Sequence, residues 1–207
     1  MQTSKHLKNM PVTLALITIN TIVFVVIAVR GHDFLWGNPD DLLHAGANYW
    51  PFTVQQQEYW RLFTSMFLHA GIWHLITNML GLLIAGLFLE PVVRGPKLCI
   101  IYFSTGLIAD YASIWFHRDV VAVGASGAIF GVYGAFLALL TTPLFKTTTR
   151  IPFLVFIALF VGLNIIAAFF VGEIDNVAHI SGFISGIICG FLLYPTLSDT
   201  DGSRLPG

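Results

Sequence analysis

Two side chains able to do nucleophilic chemistry lie in apolar surroundings. One is the serine of Gly124-Ala125-Ser126-Gly127, the other the histidine of Ala178-His179-Ile180-Ser181-Gly182. A serine hydroxyl attacks a carbonyl when a neighbouring base takes its proton, and imidazole commonly serves as that base. Polar groups at membrane depth are costly, so each residue is a functional-site candidate by default. A further run, His69, His74 and Asn78, carries N–H groups of the kind that can stabilise a negatively charged oxygen.

Whether these groups can meet depends on the elements that carry them. The chain has 207 residues, 56% of them hydrophobic and 10% charged, with mean hydropathy +0.79. Soluble domains carry about 25% charged residues, so this composition indicates an integral membrane protein. A net charge of -1 offers no basic footprint for nucleic acid. Six apolar runs approach the roughly 20 residues needed to span a bilayer: Pro11–Val29, Trp73–Leu89, Leu98–Phe116, Val120–Thr142, Ile151–Val171 and Val177–Tyr194. The third contains Asp110 and the fifth Asn164. The expected fold is all-α: one six-span bundle over 1–207, with a long interfacial first loop and a cytoplasmic tail over 197–207. Lys5 and Lys8 give the first run the look of a signal peptide. It is long for one, and no small-x-small site follows before Arg30, so an uncleaved anchor is expected.

Orientation follows from Lys and Arg in the connections. With a cytoplasmic N-terminus, Lys5, Lys8, Arg94, Lys97, Lys146, Arg150 and Arg204 lie inside, and only Arg30, Arg61 and Arg118 outside. Both termini are therefore predicted inside the cell membrane. Trp36, Trp50, Trp60, Trp73 and Trp115 then all fall at the outer side, as an aromatic belt would. Cys99 and Cys189 lie near the cytoplasmic ends of their spans and read as packing residues.

On this topology Ser126 lies seven residues beyond Asp119, about 10 Å below the outer edge at about 1.5 Å per residue. His179, His74 and Asn78 share that leaflet, from two other helices. Residues three or four apart share a helix face, so His179, Gly182, Gly186 and Gly190 form one stripe. Gly127, Gly131 and Gly134 flank the stripe of Ser126, Phe130 and Tyr133. Glycine-lined membrane helices approach closely, which would bring hydroxyl and imidazole within reach. Any one of these residues has a bland explanation, such as a serine bonding to its own backbone. Their joint placement does not.

These residues resemble the signature of rhomboid intramembrane serine proteases. The resemblance rests on Gly124-x-Ser126-Gly127, Ala178-His179-x-x-Gly182 and His69-x4-His74-x3-Asn78. It also includes Trp60-Arg61, Gly86-x3-Glu90 and Gly95, and runs from the first span to about Tyr194. It implies a six-helix membrane fold and a Ser126–His179 dyad without a third carboxylate. Phe130, one turn after the serine, would stack on the imidazole, with Gly127 and Gly182 supporting the helix contact. Asn78, His74 and the Ser126 backbone N–H would form the oxyanion site. No cofactor and no metal are implied. Partners would be single-span membrane proteins in the lipid bilayer, cut near the outer boundary where their helices unwind. They would come in laterally past the fifth span with Phe153, Phe156, Phe160, Phe169 and Phe170.

A non-catalytic relative that binds transmembrane helices would be expected to lack the serine or the histidine. This chain keeps both. A channel or transporter would place paired charges near the midplane, where Asp110 stands alone. A metal site from His69, His74 and His179 would lack a carboxylate or cysteine partner, and there is no His-Glu-x-x-His.

Overall fold

The computed structural model describes residues 10–29, 34–170 and 175–198, apart from the side chains at 149 and 167–170. Lys5, Lys8, Arg30 and Arg204, the side chains of Phe169 and Phe170, and the tail beyond Ser198 lie outside the described residues. Within them the fold is all-α. The helices are α1 (Pro11–Val29), α2 (Pro39–Ala45), α3 (Arg61–Thr64), α4 (Ile72–Val93), α5 (Gly95–Phe116), α6 (Ser126–Leu140), α7 (Thr147–Phe170), α8 (Asn176–Leu193) and α9 (Pro195–Ser198). A single isolated bridge, Asn48 to Ala122, is the only extended pairing among the described residues. By length and composition α1, α4, α5 and α8 are apolar enough to cross a membrane, whereas α6 and the stretch Arg150–Ile166 are shorter apolar helices.

The run Val120–Thr142 reads as one span, yet its helix begins only at Ser126. The preceding residues are held extended instead. Asn48 and Ala122 exchange backbone hydrogen bonds of 3.0 and 2.8 Å, and Gly124 N–H donates to Ser65 C=O at 2.9 Å. Gly124 takes φ +129, which a side-chain-bearing residue rarely adopts. Apolarity alone could not show that these backbone groups find partners outside a helix.

The centre of the bundle is α6, buried along nearly its whole length. It packs chiefly on α8 and α5, then α4, with less contact to α7. Backbone crowding explains the tightness. A Cβ built on Gly182, Gly186 or Gly134 would stand 2.2, 2.0 or 2.1 Å from the carbonyl oxygen of Gly127, Gly131 or Phe183. On the other side, α7 meets the bundle through rings: Phe160 lies 4.4 Å from Tyr133 and Phe153 4.5 Å from Phe88. Those phenylalanines face inward rather than toward lipid.

The first loop folds against the bundle as short helices. Its Leu42, Ala47 and Leu68 form a small apolar cluster with Val23, Ile27, Val121 and Val123 packed on it. Arg61 is the brace of this loop. It donates to the carbonyls of Leu43 and Ala47 and to Glu58, with its guanidinium over Phe52 and Trp60. Asp110, alone in its span by sequence, accepts from Ser65 Oγ at 2.7 Å, and its carbonyl from Asn48 Nδ2. It ties this loop to α5.

Glu90 at the end of α4 performs the same service for α1. Its carboxyl oxygens accept from the N–H groups of Val12 and Thr13, both at 2.8 Å, and from Thr13 Oγ1 at 2.6 Å. One turn earlier Gly86 leaves room for Thr13, whose Oγ1 would lie 2.1 Å from an added Cβ. Helix N-termini expose unsatisfied N–H groups that hydrocarbon cannot solvate. Glu90→Ala is therefore expected to cost about 1–3 kcal/mol per stranded donor, read as a lower thermal midpoint in detergent. An unchanged midpoint would contradict this role.

Candidate active site

Ser126 opens α6 directly after the Gly124 turn, and Ala125 supplies no side-chain cap. The first N–H groups of the helix thus converge, uncapped, on the serine's surroundings, a local environment that favours an anion. Gly127, next in sequence, is wedged against Ala109 of α5: an added Cβ would sit 2.6 Å from the alanine Cβ and 3.7 Å from Ala178 C=O. The serine is fixed on a helix that cannot back away from α8.

His179 lies in the first turn of α8, 6% exposed. Its ring is stacked on Phe130 with centroids 4.1 Å apart and planes 6° apart. Phe130, itself 2% exposed, is one turn after Ser126 on α6. The imidazole Nδ1 has no protein partner, so no carboxylate orients it. Orientation comes from the aromatic face. Gly182, the next residue on the same face, carries the close contact to Gly127 C=O. Ser126 and His179 thus flank one of the close backbone approaches of the α6–α8 seam, and the described residues contain no hydrogen bond between them. Such bonds often tighten only when substrate binds.

The donor side is supplied by α4. Ala70 N–H donates to His74 Nδ1 at 3.4 Å, which assigns the ring proton to Nε2. That Nε2 would be 2.8 Å from a Cβ on Gly124, and Asn78 Nδ2 3.9 Å. Both groups therefore face the turn that leads into Ser126. Asn78 is held by a 2.9 Å bond from Nδ2 to His74 C=O, leaving its second N–H free of that contact. His69 is packed edge-on to His74 with centroids 5.1 Å apart. Burial, then the neighbouring His74, push the His69 imidazole down to about 3, so it stays neutral at physiological pH. Behind the site Tyr133 Oη donates to Gly81 C=O at 3.0 Å and fastens α6 to α4.

Three helices thus bring Ser126, Phe130, His179, His74 and Asn78 around one turn, with Gly127 and Gly182 as the contact that sets their spacing. Sequence reasoning missed two participants. Gly124 is quoted in the motif, but its φ and its closeness to His74 emerge only in three dimensions. The other is Asp175, whose Oδ1 accepts from Ala178 N–H at 2.9 Å and caps the helix carrying His179. An aspartate directly before an apolar helix was the available signal.

The chain matches the Rhomboid domain model over residues 56–196. It belongs to the rhomboid family. It is 36% identical over 169 residues to RHOMBOID-like protein 6, mitochondrial, of Arabidopsis thaliana, covering 80% of this chain and 53% of that protein. It is 32% identical over 195 residues to Rhomboid protease GluP of Bacillus subtilis (strain 168), covering 93% of this chain and 37% of GluP. Inactive RHOMBOID-like protein 8 of Arabidopsis thaliana is 32% identical over 144 residues, covering 70% of this chain and 41% of that protein. The rhomboid chain described here spans about half or less of the length of each of these relatives. An active protease and an inactive relative both stand among them, so activity is a question for the site itself.

Proposed function

We propose that this rhomboid is an intramembrane serine endopeptidase that uses Ser126 as nucleophile and His179 as base. The parallel stack of Phe130 on His179 beside the uncapped helix start at Ser126 carries this reading. Ser126 Oγ attacks the scissile carbonyl while His179 takes its proton. The resulting oxyanion is met by Asn78 Nδ2–H, His74 Nε2–H and the Ser126 N–H. The imidazolium then protonates the leaving amine, freeing the C-terminal fragment, and water repeats the sequence to release the acyl fragment. The Phe130 stack would set the plane of the ring in place of a carboxylate on Nδ1.

The substrates of this reading are single-span membrane proteins. A carbonyl inside an intact helix is already hydrogen-bonded, so the cut falls where the helix unwinds near the outer boundary. In this reading both termini lie in the cytoplasm and the site opens toward the extracytoplasmic side of the cell membrane, which the distribution of Lys and Arg in the connections supports. The aromatic, weakly engaged α7 is the side from which such a helix would arrive.

Purified protein in liposomes with a fluorescent single-span substrate tests the proposal, cleavage being the expected result. Asn78→Ala removes one oxyanion donor and is expected to lower kcat about 100- to 1000-fold. A wild-type rate from Asn78→Ala would remove Asn78 from the scheme, and failure of the wild type to cut any unwound single-span helix would contradict it altogether.

A further inference from the structure

The glycine seam holds α6 against α8 along its length, but the first turn of α8, which carries His179, begins beyond those contacts, and His179 has no partner on Nδ1. The start of α8 is held from α5. Asp110 and Ser113 lie at positions i and i+3 of one α5 face, and His117 is the residue that caps the end of α5. Asp110 is engaged by the first loop. The other two reach α8: Ser113, 1% exposed, donates Oγ–H to Asp175 Oδ2, and His117 Nδ1 lies 3.2 Å from Asp175 Oδ1. Asp175 caps Ala178 N–H with Oδ1, and its carbonyl accepts from His179 N–H at 3.1 Å.

We propose that Asp175 is a positioning residue for His179, clamping the start of α8 to the end of α5 through Ser113 and His117. This inference rests on the protease reading of Ser126 and His179. The clamp joins the start of α8 to the end of α5. Without the clamp the first turn of α8 is free to fray, and a misplacement of His179 by about 1 Å costs on the order of 100-fold in rate.

The full chain is reconstituted in liposomes as wild type, Ser113→Ala, Asp175→Ala and Asp175→Asn. Cleavage of a single-span substrate and amide hydrogen exchange over residues 176–182 are both measured. Ser113→Ala and Asp175→Ala are expected to lower kcat roughly 10- to 100-fold with KM nearly unchanged, and to speed exchange at Ala178 and His179. Asp175→Asn keeps an oxygen for the cap and presents an N–H₂ to Ser113 Oγ, so it is expected to stay within about threefold of wild type. Wild-type kcat in both alanine variants overturns the clamp. So does an asparagine variant as slow as the alanine one, since charge rather than position would then be at issue. If the wild type cleaves nothing, the protease reading fails. The exchange data still decide the clamp, and unchanged exchange in the two alanine variants sinks it.

Discussion

His179→Ala is expected to lower kcat by a factor on the order of 10,000 or more, and Ser126→Ala by a similar factor, with the bundle still folded. The reason lies in shared labour. The hydroxyl is a poor nucleophile without a base, and the imidazole has no other proton to take, so each residue is useless alone. The double variant should therefore be no slower than either single one. Folding is expected to survive, because His179 Nδ1 bonds to nothing and Ser126 contributes no cap or buried bond. Thermal midpoints in detergent check that half, and substrate turnover in liposomes checks the other. A double variant whose losses multiply would mean that the two residues act separately.

The largest structural effect is expected at Gly186. A Cβ there would stand 2.0 Å from Gly131 C=O and 2.7 Å from its carbonyl carbon, both backbone atoms that cannot rotate away. Overpacking that side chains can absorb costs about 1–3 kcal/mol; here α6 and α8 must separate instead. Gly186→Ala is expected to lower the thermal midpoint and, by moving His179 from Ser126, the cleavage rate as well. Gly186→Leu should yield no folded protein. Gly162 on α7 is the control, since nothing lies within 4 Å of its Cβ position, and Gly162→Ala should leave the midpoint where it was. Equal effects at the two glycines would refute the role given to the seam.

What could be read from the chain beforehand was set by distance along it. The apolar runs declared an all-α membrane bundle, because hydrocarbon admits no other way to satisfy the backbone of such stretches. Glycine spacing on two runs foretold which helices touch, since the periodicity of a face is local information. The start of α6 could not be read, because Val120–Ala125 is as apolar as the helix after it. Its extended course is decided by Asn48 and Ser65, far away in sequence. Glu90 with Thr13, Asp110 with Ser65 and Asp175 with Ser113 are likewise pairs separated by 77, 45 and 62 residues. Each polar residue was visible as an oddity; its partner was not. The oddity had a different meaning in each case, a helix cap, a loop tether and a clamp between two helix ends.

Reaction of the purified protein with a fluorophosphonate, followed by mass-spectrometric mapping of the adduct, reports directly on an activated serine. The account predicts an adduct on Ser126 in the wild type and none on it in His179→Ala, at equal folded protein. An adduct on Ser126 that forms equally fast without His179, or a folded wild type that takes up no phosphonate at Ser126, would contradict it.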